Sequence, residues 1–227
     1  MKKKLILIGG GGHGKSLIDS IRSTKEYEII GILDQNKNVD STVLQIPVLG
    51  GDELLSILYQ QGIRYGVIGV GSLGDPEPRI RIYEALKYAG LVLPNIMDKN
   101  AVISPQVQMG EGNFIGKGAI IGAGAILGTG CIVNTGTILE HDTIIGNFVH
   151  IAPGSVLCGN VRVGDNTHIG AGTTVIQNIT IGSNSMIGAG SLVLTNISSN
   201  TLAYGSPAKE VGVYEQSYDY RRGRSQS

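Results

Sequence analysis

The chain has 227 residues and equal numbers of Lys+Arg and Asp+Glu, 18 of each, so its formal net charge of zero argues against an electrostatic nucleic-acid binder. Glycine supplies 35 residues, about twice the usual share, while Trp is absent, Phe occurs twice and charged residues are only 16%. With 41% hydrophobic residues this is no disordered chain, and its core must pack aliphatic side chains with glycine and without large aromatics.

Met1-Lys2-Lys3-Lys4 before the apolar Leu5–Ile8 is too short for a signal peptide and runs into glycines. No apolar run approaches the ~18 residues of a membrane span, so a cytoplasmic protein is expected. Leu5–Ile8 reads as a strand, Gly9 to Gly14 as a loop, and Lys15–Arg22 as a helix. Strands at Glu28–Leu33, Tyr65–Val70 and Leu91–Leu93 alternate with helices at Gly51–Gln60 and Pro78–Tyr88. That alternation predicts a small Rossmann-like parallel α/β sheet over residues 1–95. The boundary falls near Pro94–Asp98.

Two motifs overlap in the glycine loop. Gly9-x-Gly11-x-x-Gly14, with Asp34 twenty residues on, matches the dinucleotide fingerprint. Its physics is backbone N–H groups and a helix N-terminus facing a phosphate, with Asp34 reaching a ribose or base. Gly9-x4-Gly14-Lys15-Ser16 also matches a Walker A loop letter by letter. Residues 1–95 leave no room for a separate hydride-transfer or NTPase domain. Nucleotide recognition without nucleotide chemistry, or a purely structural glycine turn, are the readings that remain.

Beyond the boundary the sequence repeats. Stepping by six from Met97 to Val193 gives seventeen positions, every one aliphatic or Met. Two residues before each stands mostly a small or β-branched residue, such as Ala119, Ala125, Cys131, Thr137 and Thr143. Gly commonly follows, as at Gly110, Gly116, Gly122 and Gly128. A period of six does not fit a helix, but it fits a β-solenoid whose strands point positions i and i−2 inward. Three hexads make one triangular coil, giving roughly five coils. Cys131 and Cys158 lie outside any CxxC, so neither a disulfide scaffold nor a zinc cluster is expected.

The glycine after the aliphatic position is replaced by Asn134, Glu140, Ala152 and Cys158, four of five neighbouring hexads. Such rule-breaking concentrates at functional sites. The same stretch holds Glu140-His141-Asp142 and His150. A carboxylate beside an imidazole fixes its tautomer and raises its basicity, as a general base requires. A surface histidine at a solenoid corner is the plainer alternative. His150 sits at an outward position, and His168 lies one coil above it.

The [LIV]-G-x4 pattern over about 97–196 resembles the hexapeptide-repeat acyltransferases. This implies a left-handed parallel β-helix, over residues 96–211, that is normally a homotrimer. Gly12-His13-Gly14 after the first strand, followed by such a solenoid, resembles the sialic acid O-acetyltransferase family. That NeuD-like family includes PglD and the perosamine N-acetyltransferases. The resemblance implies that the front domain holds a nucleotide-linked sugar through Gly11, Gly12, His13, Asp34, Gln35 and Gly71, while the solenoid holds acetyl-CoA. Relatives carry an acidic pair where this chain has Asp34 and Gln35. By the same resemblance His141 is the catalytic base, Asp142 its acidic helper, and Asn134 positions the sugar in the same neighbourhood. His150, Ala171 and Ala189 would line the acetyl-CoA cleft between subunits. Lys209, in Gly205-x-Pro207-Ala208-Lys209, would approach the CoA phosphates. The γ-carbonic anhydrases bind zinc on such a solenoid, but their closely spaced histidine pair is missing, so no metal is expected. Residues 212–227, with Arg221, Arg222 and Arg224, read as a mobile tail. The expected activity is acetyl-CoA-dependent N-acetylation of a nucleotide-linked amino sugar, a 4-amino sugar first. O-acetylation of sialic acid or another sugar, and a non-catalytic nucleotide-binding solenoid, are the alternatives.

Overall fold

The computed structural model describes residues 2–214. The front sheet is built on β1 (Lys3–Ile8), which pairs in parallel with β2 (Tyr27–Leu33) and, on its other side, with β5 (Tyr65–Ile68). Leu5, Ile6 and Leu7 are fully buried, because helices or the solenoid cover both sheet faces. The chain leaves β1 toward β2 and returns on the opposite side at β5. That makes the C-terminal end of β1 a topological switch point, where α/β sheets hold ligands.

The glycine loop is shorter than expected. Helix α1 runs Gly12–Thr24, so Gly12, His13 and Gly14 form its first turn. The Gly51–Gln60 helix splits into a 3₁₀ turn, Asp52–Leu54, and α2 (Leu55–Gln60). Helix α3 covers Glu77–Tyr88. Leu91–Leu93 forms no full strand, and only Val92 bridges to Tyr65. The hairpin β3 (Thr42–Val43) and β4 (Ile46–Gly50) is an addition. Its turn residues, Leu44 and Gln45, both have positive φ, a conformation normally announced by Asn or Gly. Neither is present to announce it.

Seventeen two-residue strands, from Ile96–Met97 to Leu192–Val193, build the solenoid. Each of the first fourteen pairs in parallel with the strand eighteen residues on, as Ile138↔Val156 and His150↔His168 show. Three sheets result, forming the faces of a triangular prism. The first face carries Phe114, Ile132, His150 and His168, and the second carries Val102, Ile120, Ile138 and Val156. The third carries Ile126, Ile144 and Arg162. Inside, Ile115, Leu139, Ile151, Leu157, Val175 and Val193 stack in aliphatic columns.

The corners obey a second six-residue rhythm. From Gly112 to Gly190 every sixth residue has positive φ, in the left-handed region. Gly or Asn fills each of these positions except two, Asp142 and Phe148.

The front sheet sits on the first face. The outward side chains there, including Phe114, Ile132, His150, His168 and Met186, are all at most 8% exposed. Helix α1 grips the edge between the first and second faces, where Ser20 Oγ donates to Asp98 Oδ2 at 2.7 Å and Asp19 pairs with Lys117. Helix α3 grips the edge between the third and first faces. Tyr83 donates to Glu111 at 2.7 Å and stacks edge-on against Phe148. The second face stays open and apolar, with Val102 and Ile120 exposed.

A C-terminal hairpin, Thr201–Gly205 with Ala208–Val213, extends the first face. Gly212 and Val213 therefore belong to a strand rather than to a tail. Tyr214 is buried and its N–H donates to Asn200 O at 2.8 Å. The rest of the expected tail lies outside the described residues.

Truncating one interior column should open a cavity that neighbouring coils cannot refill. Leu157→Ala is expected to destabilise the protein by about 2–5 kcal/mol in urea denaturation. Arg162→Ala, on the exposed third face, should stay within about 0.5 kcal/mol.

Candidate active site

A cavity of about 640 Å³ opens at the switch point. Its walls are the ends of β1 (Ile8, Gly9), β2 (Leu33, Asp34) and the Gly69–Gly71 segment after β5. All six residues expected to hold the nucleotide sugar line it: Gly11, Gly12, His13, Asp34, Gln35 and Gly71. The first turn of α1 carries no acidic residue and no side-chain cap. Its free N–H groups and positive dipole end are therefore suited to an anion. Gly14 lets the helix approach β1, since a Cβ there would strike the Gly9 carbonyl.

Asp34 has a different local task from the one its spacing suggests. Its Oδ2 accepts from Gly10 N at 2.9 Å and its Oδ1 from Asn36 N at 3.0 Å. The carboxylate thus fixes the shape of the loop, with its remaining lone pairs left for a ligand. Across the cavity mouth, burial and then the neighbouring carboxylates Glu53 and Asp34 raise the Asp52 carboxyl above its usual value. Arg81 is the cation on the opposite wall. His13 reaches from the cavity toward the solenoid, where its ring meets Phe114 edge-on at 5.1 Å. Its Nε2 is buried without a hydrogen-bond partner among the described residues. Burial first, then Arg79 and His150, hold His13 well below the ordinary histidine pKa.

His141 and Asp142 stand on the edge between the second and third faces. His141 Nδ1 lies 2.9 Å from Asp142 Oδ2, and both side chains are about two-thirds exposed. The pair sits in a gap made by glycines one coil above and one below. A Cβ on Gly159 would lie 2.5 Å from His141 Nε2, and one on Gly124 would lie 2.6 Å from Asp142 Oδ1. Asp142 holds its left-handed conformation at one of the two corners where neither Gly nor Asn stands. The six-residue corner rhythm was the sequence signal that could have marked Asp142 and Phe148 as exceptions.

Asn134 is not beside His141. It lies on the edge between the first and second faces, and its Nδ2 is 3.2 Å from His150 Nε2. His150 Nδ1 is 2.6 Å from the Ser72 carbonyl of the front domain. Together these contacts set the tautomer: Nδ1–H donates to Ser72 O, and Nε2 accepts from Asn134. His150 points outward from the prism, as expected, yet the front domain covers it. His168 stacks edge-on against it, ring centroids 4.7 Å apart, with Nδ1 buried and unpartnered. Burial pushes His150 down to about 4 and His168 to about 3. Among the described residues no group of three or more His, Cys, Asp or Glu could hold a metal ion. No helix among them is long and apolar enough to cross a membrane.

Ala171 and Ala189 are exposed on the same edge as Asn134, one coil apart, with Gly190 N donating to Ala171 O at 2.8 Å. They form a flush strip with backbone within reach. Lys209 is exposed on the second strand of the C-terminal hairpin.

A prism of hexapeptide coils joined to a nucleotide-type α/β domain defines an acyltransferase of the hexapeptide-repeat class. Residues 4–86 match the PglD N-terminal domain. Residues 142–177 and 160–195 match the bacterial transferase hexapeptide, and residues 106–141 the hexapeptide repeat of succinyl-transferase. PerB from Caulobacter crescentus, solved with CoA and GDP-perosamine, is 36% identical with a TM-score of 0.86. The match covers 92% of this chain and 97% of that one. A histidine-to-asparagine variant of perosamine N-acetyltransferase from the same organism, with the same ligands, is 34% identical with a TM-score of 0.87 over the same shares. The acetyltransferase domain of PglB from Neisseria gonorrhoeae, solved with acetyl coenzyme A, is 33% identical with a TM-score of 0.85. That match covers 93% of this chain and all of that one. Comparison with curated protein sequences gave no match. The chain belongs to the PglD-like family of hexapeptide-repeat sugar acetyltransferases.

The buried imidazoles make stability depend on pH. Their folded pKa values lie below that of a histidine in the unfolded chain, so they stabilise above about pH 6.5 and lose that contribution as pH falls. As the pH falls from 6.5 toward 5 the loss approaches about 1.4 kcal/mol per pH unit for each of His150 and His168. Urea midpoints should fall over this window, and should fall less steeply in His168→Leu. A flat profile in the wild type would contradict the buried neutral state. Separately, Gly159→Ala should displace the His141 ring and lower turnover while leaving the fold intact by circular dichroism.

Proposed function

We propose that this enzyme transfers the acetyl group of acetyl-CoA to the amine of a nucleotide-linked amino sugar, with 4-amino sugars as the first candidates. The observation that carries this reading is the His141–Asp142 pair. Asp142 accepts from His141 Nδ1–H, which leaves Nε2 with a free lone pair at an exposed edge. That is the arrangement a general base needs. The solved relatives that hold CoA together with GDP-perosamine supply the substrate class.

The nucleotide sits in the front cavity, its phosphates at the first turn of α1 and its sugar toward His13 and Gly71. The exposed Ala171 and Ala189 strip accepts the pantetheine arm against backbone, and Lys209 faces its phosphates. In the reaction the sugar amine attacks the thioester carbonyl and a C–N bond forms. His141 Nε2 takes the proton released by the nitrogen. The C–S bond breaks and CoA leaves as the thiol after receiving a proton. No acyl-enzyme is required when both substrates are bound together, and backbone N–H groups stabilise the oxyanion.

The front domain covers the first face, whereas His141 stands on the opposite edge of the prism. One chain therefore does not present its own cavity to its own base. The open apolar second face lies between the Ala171 strip and His141, and a neighbouring copy seated there completes the site. A homotrimer satisfies this arrangement with every copy in the same role.

The test is thiol release from acetyl-CoA with UDP-, GDP- and dTDP-linked 4-amino sugars, plus free and CMP-linked sialic acid. Release with an amino sugar is expected, and His141→Ala should lower kcat by about 10²–10⁴. Release only with sialic acid would make the enzyme an O-acetyltransferase. Unchanged turnover in folded His141→Ala would remove the base.

A further inference from the structure

Arg79 is the largest side chain in the fully buried set, at 2% exposure. A buried guanidinium normally sits beside a carboxylate, because removing the charge from water costs several kcal/mol. No ion pair of Arg79 with a carboxylate is found among the described residues. Instead its Nη1 donates to Val70 O at 2.5 Å and its Nη2 to Gly130 O at 2.9 Å. Burial lowers it to about 10, so it stays protonated at neutral pH.

The two carbonyls belong to different parts of the molecule. Gly130 lies at the solenoid corner between the third and first faces. Val70 lines the nucleotide cavity, between Gly69 and Gly71. Arg79 itself leaves α3 one residue after Pro78, which also lines the cavity. The same segment is held again two residues on, where Ser72 O accepts from His150 Nδ1–H. A third restraint follows at Gly74, where Tyr214 leaves no room for a Cβ. Arg79, His150 and Tyr214 thus meet the segment from Val70 to Gly74 at three points. Arg79 is the one nearest the cavity and the only one that reaches it from within the front domain.

This inference rests on the cavity's binding the nucleotide. We propose that Arg79 is a positioning residue for transfer: by joining the Val70 and Gly130 carbonyls, it holds the Val70–Ser72 wall of the cavity at a fixed offset from the solenoid. A guanidinium fits because its planar fork offers two parallel donors to two carbonyls. A lysine ammonium has donors enough but is a single point without that planar fork, so it cannot reproduce the spacing of the two bonds.

The test uses full-length wild type and Arg79→Lys. Binding of GDP, UDP and dTDP is measured by calorimetry, and KM is measured separately for nucleotide sugar and for acetyl-CoA. In Arg79→Lys the nucleotide-sugar KM and the nucleoside diphosphate Kd should rise by roughly tenfold or more, with the acetyl-CoA KM unchanged. A general loss of structure would move both KM values and would not produce that split. Equal affinities in folded wild type and variant would overturn the positioning role while leaving the nucleotide reading standing. Failure of the wild type to bind any of the three nucleotides would overturn both. If Arg79→Lys does not fold, Arg79→Gln, which keeps a two-proton donor without the charge, takes its place. Failure of both to fold would reduce Arg79 to a folding requirement and overturn the proposal.

Discussion

The left-handed corner repeated every sixth residue is the constraint on which the rest of the molecule depends. It turns the chain after each two-residue strand and returns it, eighteen residues later, directly above its starting point. That registry stacks the interior residues into aliphatic columns and leaves no space for a larger side chain. It also stacks outward residues in columns on each face. His150 lies under His168, and Ala171 under Ala189, for that reason. Gly, Asn and Asp tolerate such a corner, whereas a bulky side chain there is strained. Two corners depart from Gly and Asn: Asp142, which pairs with His141, and the bulky Phe148, which receives α3 through Tyr83.

The columns also explain how a small sheet gains a rigid seat. The first face offers Phe114, Ile132 and Met186 to the front domain and mixes polar groups among them. Apolar contact supplies the area, while Ser20–Asp98, Tyr83–Glu111 and His150–Ser72 fix the orientation. Buried hydrogen bonds such as Ser20–Asp98 and His150–Ser72 are costly to leave unmade, so they select one docking geometry over others of similar area. The cavity walls inherit this geometry because α1 and α3 are both cavity walls and docking elements.

Much of this was legible in the sequence. The six-residue aliphatic period could only be a solenoid, and the glycine loop marked the cavity that the structure forms. His141 and Asp142 were marked by broken repeats and adjacency, and their expected roles came from the family resemblance. Other features had no such signature. Arg79 reads as an ordinary exposed helix residue until a solenoid carbonyl meets it. Asn134 and His150 are sixteen residues apart, and only the coil geometry brings them within 3.2 Å. The Leu44-Gln45 turn carries none of the residues that usually mark its conformation, so β3 and β4 went unseen. Local spacing reveals what a repeat does to itself. It does not reveal what another part of the chain lays upon it.

In the proposed reaction the sugar held by one copy is acetylated by the base of another. Subunit complementation tests it most directly. Gly12→Glu has open space for its side chain and sets a carboxylate at the phosphate end of α1, which should close the cavity to nucleotide. His141→Ala keeps the cavity and loses the proposed base. Each alone should be nearly inactive. Unfolded together and reassembled, they should regain thiol release, because some interfaces pair an intact cavity with an intact His141. Mixed assemblies as inactive as either parent would contradict a site shared between copies.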